Sequence, residues 1–335
     1  MTPLSNEAGP GEGILAAGAR ETARVAPQNP GRKWRIWGAA CFLVLVIAAF
    51  NQSLFSLMRY AVGSDLYSYI LLVPFVSVYL LWVRREQFAK NYVTNLGLTA
   101  VFLIAAVVLL VVSSAWQSAA PEANKPERLA LVTLSFLCCV AGGGFFFFGW
   151  HWMRSAAFPL VYLIFMVPMP DSMRDALELA SKSASAEVAN LFFHLSGTPF
   201  LRQGPIFQLP NITIEVAQEC SGIRSSLVLF MTSILAANLF LKTSWRRVVL
   251  VAFVIPLGIL RNGFRILVIG LLCANLGPQM IHSPIHTRGG PLFFALSMFP
   301  FLLLLLWLHR GETRLRPKES ERQEQLGPAP VGRQG

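Results

Sequence analysis

Residues 248–275 read VVLVAFVIPLGILRNGFRILVIGLLCAN. The run exceeds the ~20 apolar residues that cross a hydrocarbon core of ~30 Å, yet it holds Arg261, Asn262 and Arg265. An arginine at mid-membrane costs at least ~2.5 kcal/mol on insertion scales, so such residues are paired, face an internal cavity or carry function. The stretch therefore reads as a membrane helix with a polar face. The whole chain agrees: 54% of it is hydrophobic and 13% charged, about half the charged fraction of an ordinary soluble domain.

Working outward, apolar runs place spans near 37–55, 67–83, 97–116, 129–149, 155–168, 221–241, 247–275 and 290–308. The expected fold is an all-α polytopic membrane protein of about eight transmembrane helices. No internal repeat is evident. The expected organisation is a disordered cytoplasmic tail over 1–35, a transmembrane domain over 36–309 and a basic cytoplasmic tail over 310–335. Residues 1–30 are rich in Gly, Pro, Ala and Glu, a composition that cannot build a core, and the first apolar run reads as a retained signal anchor.

The net charge of +11 does not point to nucleic acid, because the basic residues sit in short blocks between apolar runs. With the N-terminus inside, the inner segments hold 18 of the 28 Lys and Arg and the outer segments eight. The bias predicts an even number of spans with both termini cytoplasmic, in a cytoplasmic (inner) membrane. The lipid bilayer is thus the first partner.

The largest outer segment, about 169–220, is expected to form a small extracytoplasmic cap. Met173, Leu177, Ala180, Ala184 and Val188 recur at helical spacing, the pattern of a helix that lies on the membrane or packs on the bundle. In IFQLPNITIEVAQ, Ile212, Ile214 and Val216 alternate with polar residues and LPN supplies a turn, which predicts a β-hairpin.

That hairpin leads into Cys220. The other cysteines, Cys41, Cys138, Cys139 and Cys273, lie in apolar runs, where cysteine acts as a small hydrophobe. Cys220 stands at the outer start of the sixth span. A helix N-terminus and a nearby arginine both favour a thiolate, and Arg224 is one turn away. Gly222 lets a substrate backbone come close. Glu219 either orients a partner or faces water.

Arg265 is expected in the outer half of the seventh span, within reach of Cys220, and Arg261 one turn deeper. The next outer loop carries His282 and His286, and histidine is the natural acid or base near neutral pH. Pro284 between them, and the lack of an HExxH pattern, argue against a metal site. No cofactor is called for. A thiol, a base and a cation converge on one membrane face, the parts needed for acyl transfer. On the residues alone, a thiol acyltransferase and a protease both remain open.

Four ordered motifs add a resemblance: FMVPMPDSM (165–173), LRQGPIFQLPNITIEVAQECSGIRSS (201–226), RNGFRI (261–266) and HTRGG (286–290). Together they are similar to the exosortase/archaeosortase family of multi-pass membrane transpeptidases over roughly 67–308, most closely over 160–295. The resemblance implies Cys220 as nucleophile, Arg265 as catalytic arginine and His286 as catalytic histidine. His286 is preferred to His282 because Gly290 follows four residues later. Arg224, Asn262, Glu219, Arg261 and His282 are supporting or alternative residues. The implied substrates are secreted proteins that end in a short motif, a transmembrane helix and a basic cluster. A transporter lined by Arg261 and Arg265, a polysaccharide-export assembly factor and a lipid acyltransferase are the competing classes.

Overall fold

The computed structural model of the chain describes residues 30–88, 92–119, 125–210, 212–215, 222–277, 279–280 and 289–325. The first helix, α1 (Pro30–Ala49), meets α2 (Asn51–Gly63) at a 68° bend. A 3-10 turn (Ser68–Leu71) then leads into α3 (Val73–Val83), and α4 (Leu96–Ala119) and α5 (Lys125–Phe147) form an antiparallel pair. Short helices α6 (Gly149–Ser155) and α7 (Ala157–Tyr162), with a second 3-10 turn (Leu163–Met166), precede the long α8 (Asp171–Ser196). Strands β1 (Leu201–Gln203), β2 (Ile206–Leu209) and β3 (Ile212–Glu215) follow, then α9 (Ile223–Phe240), α10 (Ser244–Leu276) and α11 (Gly290–Gln325).

Five of these helices, α4, α5, α9, α10 and α11, are long and apolar enough to cross a membrane, and the bent α1–α2 pair brings the number to six. The protein is thus a multi-pass, mostly helical membrane protein. The other two expected spans fall on shorter apolar helices, Ser68–Val83 and Ala157–Met166. The first expected span, 37–55, straddles the bend at Phe50, where no proline or glycine announces a break. Helix α1 begins at Pro30, ahead of the boundary expected at residue 36, and α11 continues through the expected C-terminal tail to Gln325. The rest of the expected N-terminal tail, 1–29, lies outside the described residues.

Side-chain contacts define two opposite ends of the bundle. At the first, the Arg35 guanidinium donates to the carbonyls of Tyr92 and Phe147. Here too Arg84 bonds Asn238, and its guanidinium lies 5.8 Å from the ring centre of Phe158. Arg246, buried, donates to the Leu308 carbonyl at 2.8 Å. The Glu312 carboxylate accepts the backbone N–H groups of Lys242 and Thr243, the two residues just before α10, at 3.0 and 2.7 Å. A helix start leaves four N–H groups without intrahelical partners. Glu312 supplies an acceptor beside that start from a different helix. The exposed Trp34, Trp37, Trp82, Trp245 and Trp307 ring this end, as aromatic residues do at a membrane interface.

At the opposite end, Glu127 accepts the Asp171 N–H at 3.1 Å and the Tyr67 hydroxyl donates to the Met169 carbonyl at 3.1 Å. This end carries a cap. Helix α8 lies against α10, with Ser185, Ala186, Ala189 and Phe193 buried. Gly263 and Gly270 of α10 make the approach possible: a Cβ at Gly263 would meet Val188 Cγ1 at 2.5 Å, and one at Gly270 would meet the Phe193 ring at 2.5 Å. Of the expected stripe, Val188 meets Gly263, while Met173 and Leu177 are exposed.

The strands form an antiparallel sheet in the order β1-β2-β3, with Phe207 paired to Arg202 and to Ile214. The expected hairpin corresponds to β2 and β3, and β1 adds a strand through a turn at Gly204, where φ is +61°. Val216 lies outside the described residues. Phe207, Leu209 and Ile214 join Ala186, Ala189, Phe193 and Ile266 in the cap core. Arg202 clamps the sheet to α8 through a two-pronged ion pair with Glu187, at 2.6 and 2.9 Å.

The cap explains the length of α10. At 1.5 Å per residue its 33 residues span about 50 Å, well beyond the ~30 Å hydrocarbon core. The part nearest Ser244 packs with α9 and α11 through Leu229, Leu250, Val254 and Phe301. The far part, with Ile266 and Gly270, belongs to the cap. One continuous helix thus serves both layers.

Candidate active site

The polar centre of the molecule forms where α9 starts against α10. Gly222 is the N-cap of α9 and has φ +67° and ψ 9°, a left-handed conformation. That geometry strains any residue with a Cβ. Space is tight as well: a Cβ at Gly222 would lie 3.0 Å from Asn262 Oδ1 and 3.3 Å from Arg261 Nη2, so those side chains would have to give way. The lack of a Cβ at Gly222 admits the side chains of Asn262 and Arg261 from α10.

Arg261 is 7% exposed and Asn262 2%. Nη2 of Arg261 donates to the Gly222 carbonyl at 3.2 Å and to Ser226 Oγ at 3.0 Å. The same carbonyl accepts the Ser226 N–H at 3.0 Å, the first bond of the helix, and the Ser225 hydroxyl at 3.0 Å. Gly258, one turn before Arg261, leaves room for this: a Cβ there would lie 2.8 Å from Ser226 Oγ. Burying a guanidinium is costly unless it is hydrogen-bonded; the first turn of α9 supplies acceptors for Nη2, while Nη1 is buried without one.

Arg265 lies one turn further along α10 toward the cap and is half-buried. Gly258, Arg261, Asn262 and Arg265 share one helical face by their three- and four-residue spacing. The glycines that face α8 lie on another side. The order of the two arginines along α10 is the expected one, with Arg261 one turn further from the cap than Arg265. Arg261 stands level with the N-terminus of α9, 17 residues or about 26 Å from Ser244. Both arginines therefore sit near the boundary between bundle and cap.

Arg224 is exposed and pairs with Asp65 at 3.1 Å. Its charge is shared with a carboxylate that the sequence did not bring forward. The first turn of α9 contains no acidic residue, so nothing within the helix offsets its positive end. Cys220, Glu219, His282 and His286 lie outside the described residues. Of the expected site, the structure therefore brings together Arg261 and Asn262 at Gly222, with Arg265 one turn away. Ser226 and Gly258 were missed. A signal for them existed, because Ser226 follows Gly222 by four residues and Gly258 precedes Arg261 by three.

The motifs at this junction lie inside a longer similarity. The family model for transmembrane exosortases matches residues 59–303, well over half of the chain. The chain belongs to the transmembrane exosortase family. The matched segment runs from α2 into α11 and contains both the Gly222 turn and the arginine face of α10. Searches of curated proteins and of solved structures return no match. Membership of the exosortases implies a membrane transpeptidase in general terms.

Proposed function

We propose that this exosortase is a cysteine transpeptidase that cleaves the C-terminal sorting signals of secreted proteins at the outer membrane face. The observation that carries the reading is the turn at Gly222. It opens α9 two residues after Cys220 in sequence, at the boundary of bundle and cap, with Arg261 of α10 bonded to it. An electropositive helix start of this kind favours a thiolate.

In the proposed mechanism the Cys220 thiolate attacks the carbonyl carbon of the scissile peptide. The C–N bond then breaks, leaving a thioester on Cys220. His286 gives a proton to the departing amine and later takes one from the acceptor that resolves the thioester. Arg265 stabilises the developing oxyanion, as a preorganised cation does in a water-poor site. The substrate's transmembrane helix lies beside the bundle, and its basic cluster meets the inner surface.

The orientation follows the charge. The end with Arg35, Arg84 and Arg246 faces the cytoplasm and the capped end faces outward. The bond of Tyr67 at the capped end and that of Arg84 at the basic end support α3 as a full crossing. With α7 and its 3-10 turn counted from Arg154 to Met169 as another crossing, the proposed topology has eight traverses and both termini inside.

The test is processing of a tagged substrate in cells. Cys220→Ala should abolish processing while the protein stays in the membrane, and mass spectrometry of the wild type should find a substrate thioester on Cys220. Wild-type processing by the alanine variant sinks the assignment.

A further inference from the structure

Arg261 is nearly fully buried and its two hydrogen bonds go to α9, so the mechanism above leaves it without a task. We propose that Arg261 is a positioning residue: it locks the Gly222 turn, and through that turn the backbone leading to Cys220, while Arg265 serves the reacting atoms. The inference rests on reading Cys220 as the nucleophile.

The geometry is that of a clamp on the first turn of a helix. Nη2 carries two hydrogens, and its two acceptors, the Gly222 carbonyl and Ser226 Oγ, are four residues apart on one face of α9. The N–H of Ser226 and the hydroxyl of Ser225 also reach that carbonyl. Three donors converge on one oxygen with two lone pairs, which leaves the peptide plane after Gly222 little freedom to rotate. From the other side, Asn262 lies against Gly222, where a Cβ would come within 3.0 Å of its Oδ1. The turn is therefore held by hydrogen bonds on its carbonyl and by packing on its Cα.

A planar guanidinium suits this task, because its fork is pre-organised for two acceptors while a lysine ammonium is a flexible point charge. Burial also separates the two arginines. Arg261 is enclosed between helices, whereas Arg265 is half-buried one turn nearer the cap. The first is placed to hold the protein, the second to meet a ligand.

The experiment compares Arg261→Gln, Arg261→Lys, Ser226→Ala and the Arg261→Gln/Ser226→Ala double variant, as full chains in native membrane vesicles. Two quantities are read: the rate of Cys220 alkylation by a small maleimide across pH, followed on the Cys220 peptide by mass spectrometry, and kcat and KM for a tagged substrate. Loss of a charge-assisted bond predicts a fall of about tenfold or more in alkylation near neutral pH and in kcat for Arg261→Gln. KM should change little. Ser226→Ala should give about a threefold fall, and the double variant should be no worse than Arg261→Gln, since both act through one turn.

Arg261→Lys should not rescue. Wild-type alkylation and kcat in Arg261→Gln, full rescue by lysine, or additive effects in the double variant would each overturn the inference. If Arg261→Gln is not recovered from membranes, Ser226→Ala decides, and a wild-type pH profile in that variant overturns the inference. Cys220→Ala runs in parallel. Retained processing there refutes the functional reading itself, whereas its loss alongside a wild-type Arg261→Gln refutes only the clamp.

Discussion

Nη2 of Arg261 lies 3.2 Å from the carbonyl oxygen of Gly222, joining residues 39 apart in sequence at the start of α9. A buried cation and a left-handed glycine are each unfavourable alone. Together they make a junction in which the one compensates the other.

The first prediction concerns that glycine. Gly222→Ala must place a Cβ at positive φ, which costs roughly 1–2 kcal/mol, and within 3.0 Å of Asn262. Thermal unfolding in detergent should show a lower midpoint than wild type. Substrate processing should fall further than that loss alone explains, because the displaced turn is the one that follows Cys220. A fully active Gly222→Ala protein would contradict this account of the junction.

Docking of α8 should fail when α10 loses its glycine notch. Gly263→Val would drive a side chain into Val188 and the Ala189 backbone, and overpacking of this kind costs about 1–3 kcal/mol. Limited proteolysis should then cut within α8, while fragments from α4 and α5 remain protected. Equal protection of α8 in variant and wild type would refute the contact.

The cap should loosen in acid. The bidentate bond and charge of Arg202 hold the Glu187 carboxyl below its ordinary value. A group depressed in this way contributes stability in full above the unfolded carboxylate value of about 4.3. That contribution is lost as pH falls through the lower folded value. Hydrogen exchange in β1 and β2 should accelerate over that window in the wild type and show no such step in Glu187→Gln. The pair is exposed, so the effect should be small.

At the basic end, Glu312→Ala removes the acceptor of two backbone N–H groups before α10. A lost cap costs about 1 kcal/mol. Amide exchange at Lys242 and Thr243 should quicken, with the cap sheet unaffected. Unchanged exchange at both residues would show that water substitutes fully for the carboxylate.

The five long helices were legible because apolar length is a direct physical requirement of the bilayer. Other features were not. The bend at Phe50 has no proline or glycine to mark it. Strand β1 has only three residues, too few for an alternating pattern to register. The share of α10 in the cap was not legible, because its apolar residues that face lipid and those that face the cap look alike in sequence. Ile266 packs against Phe193 and the sheet, yet it reads as ordinary membrane helix. Arg224 stands four residues after Cys220 in sequence, and it pairs with Asp65, distant in sequence.

Because α10 passes unbroken from bundle to cap, the height of its arginines above the basic end is fixed by helix rise and not by the surrounding lipid. A thinner bilayer would leave that face standing in water. A thicker one would draw it among the headgroups, since the cost of mismatch falls on lipid and tilt rather than on a helix length that cannot change. Acyl-chain length in reconstituted vesicles thus becomes a ruler for the reaction, with turnover highest where the headgroup layer coincides with the Gly222 turn.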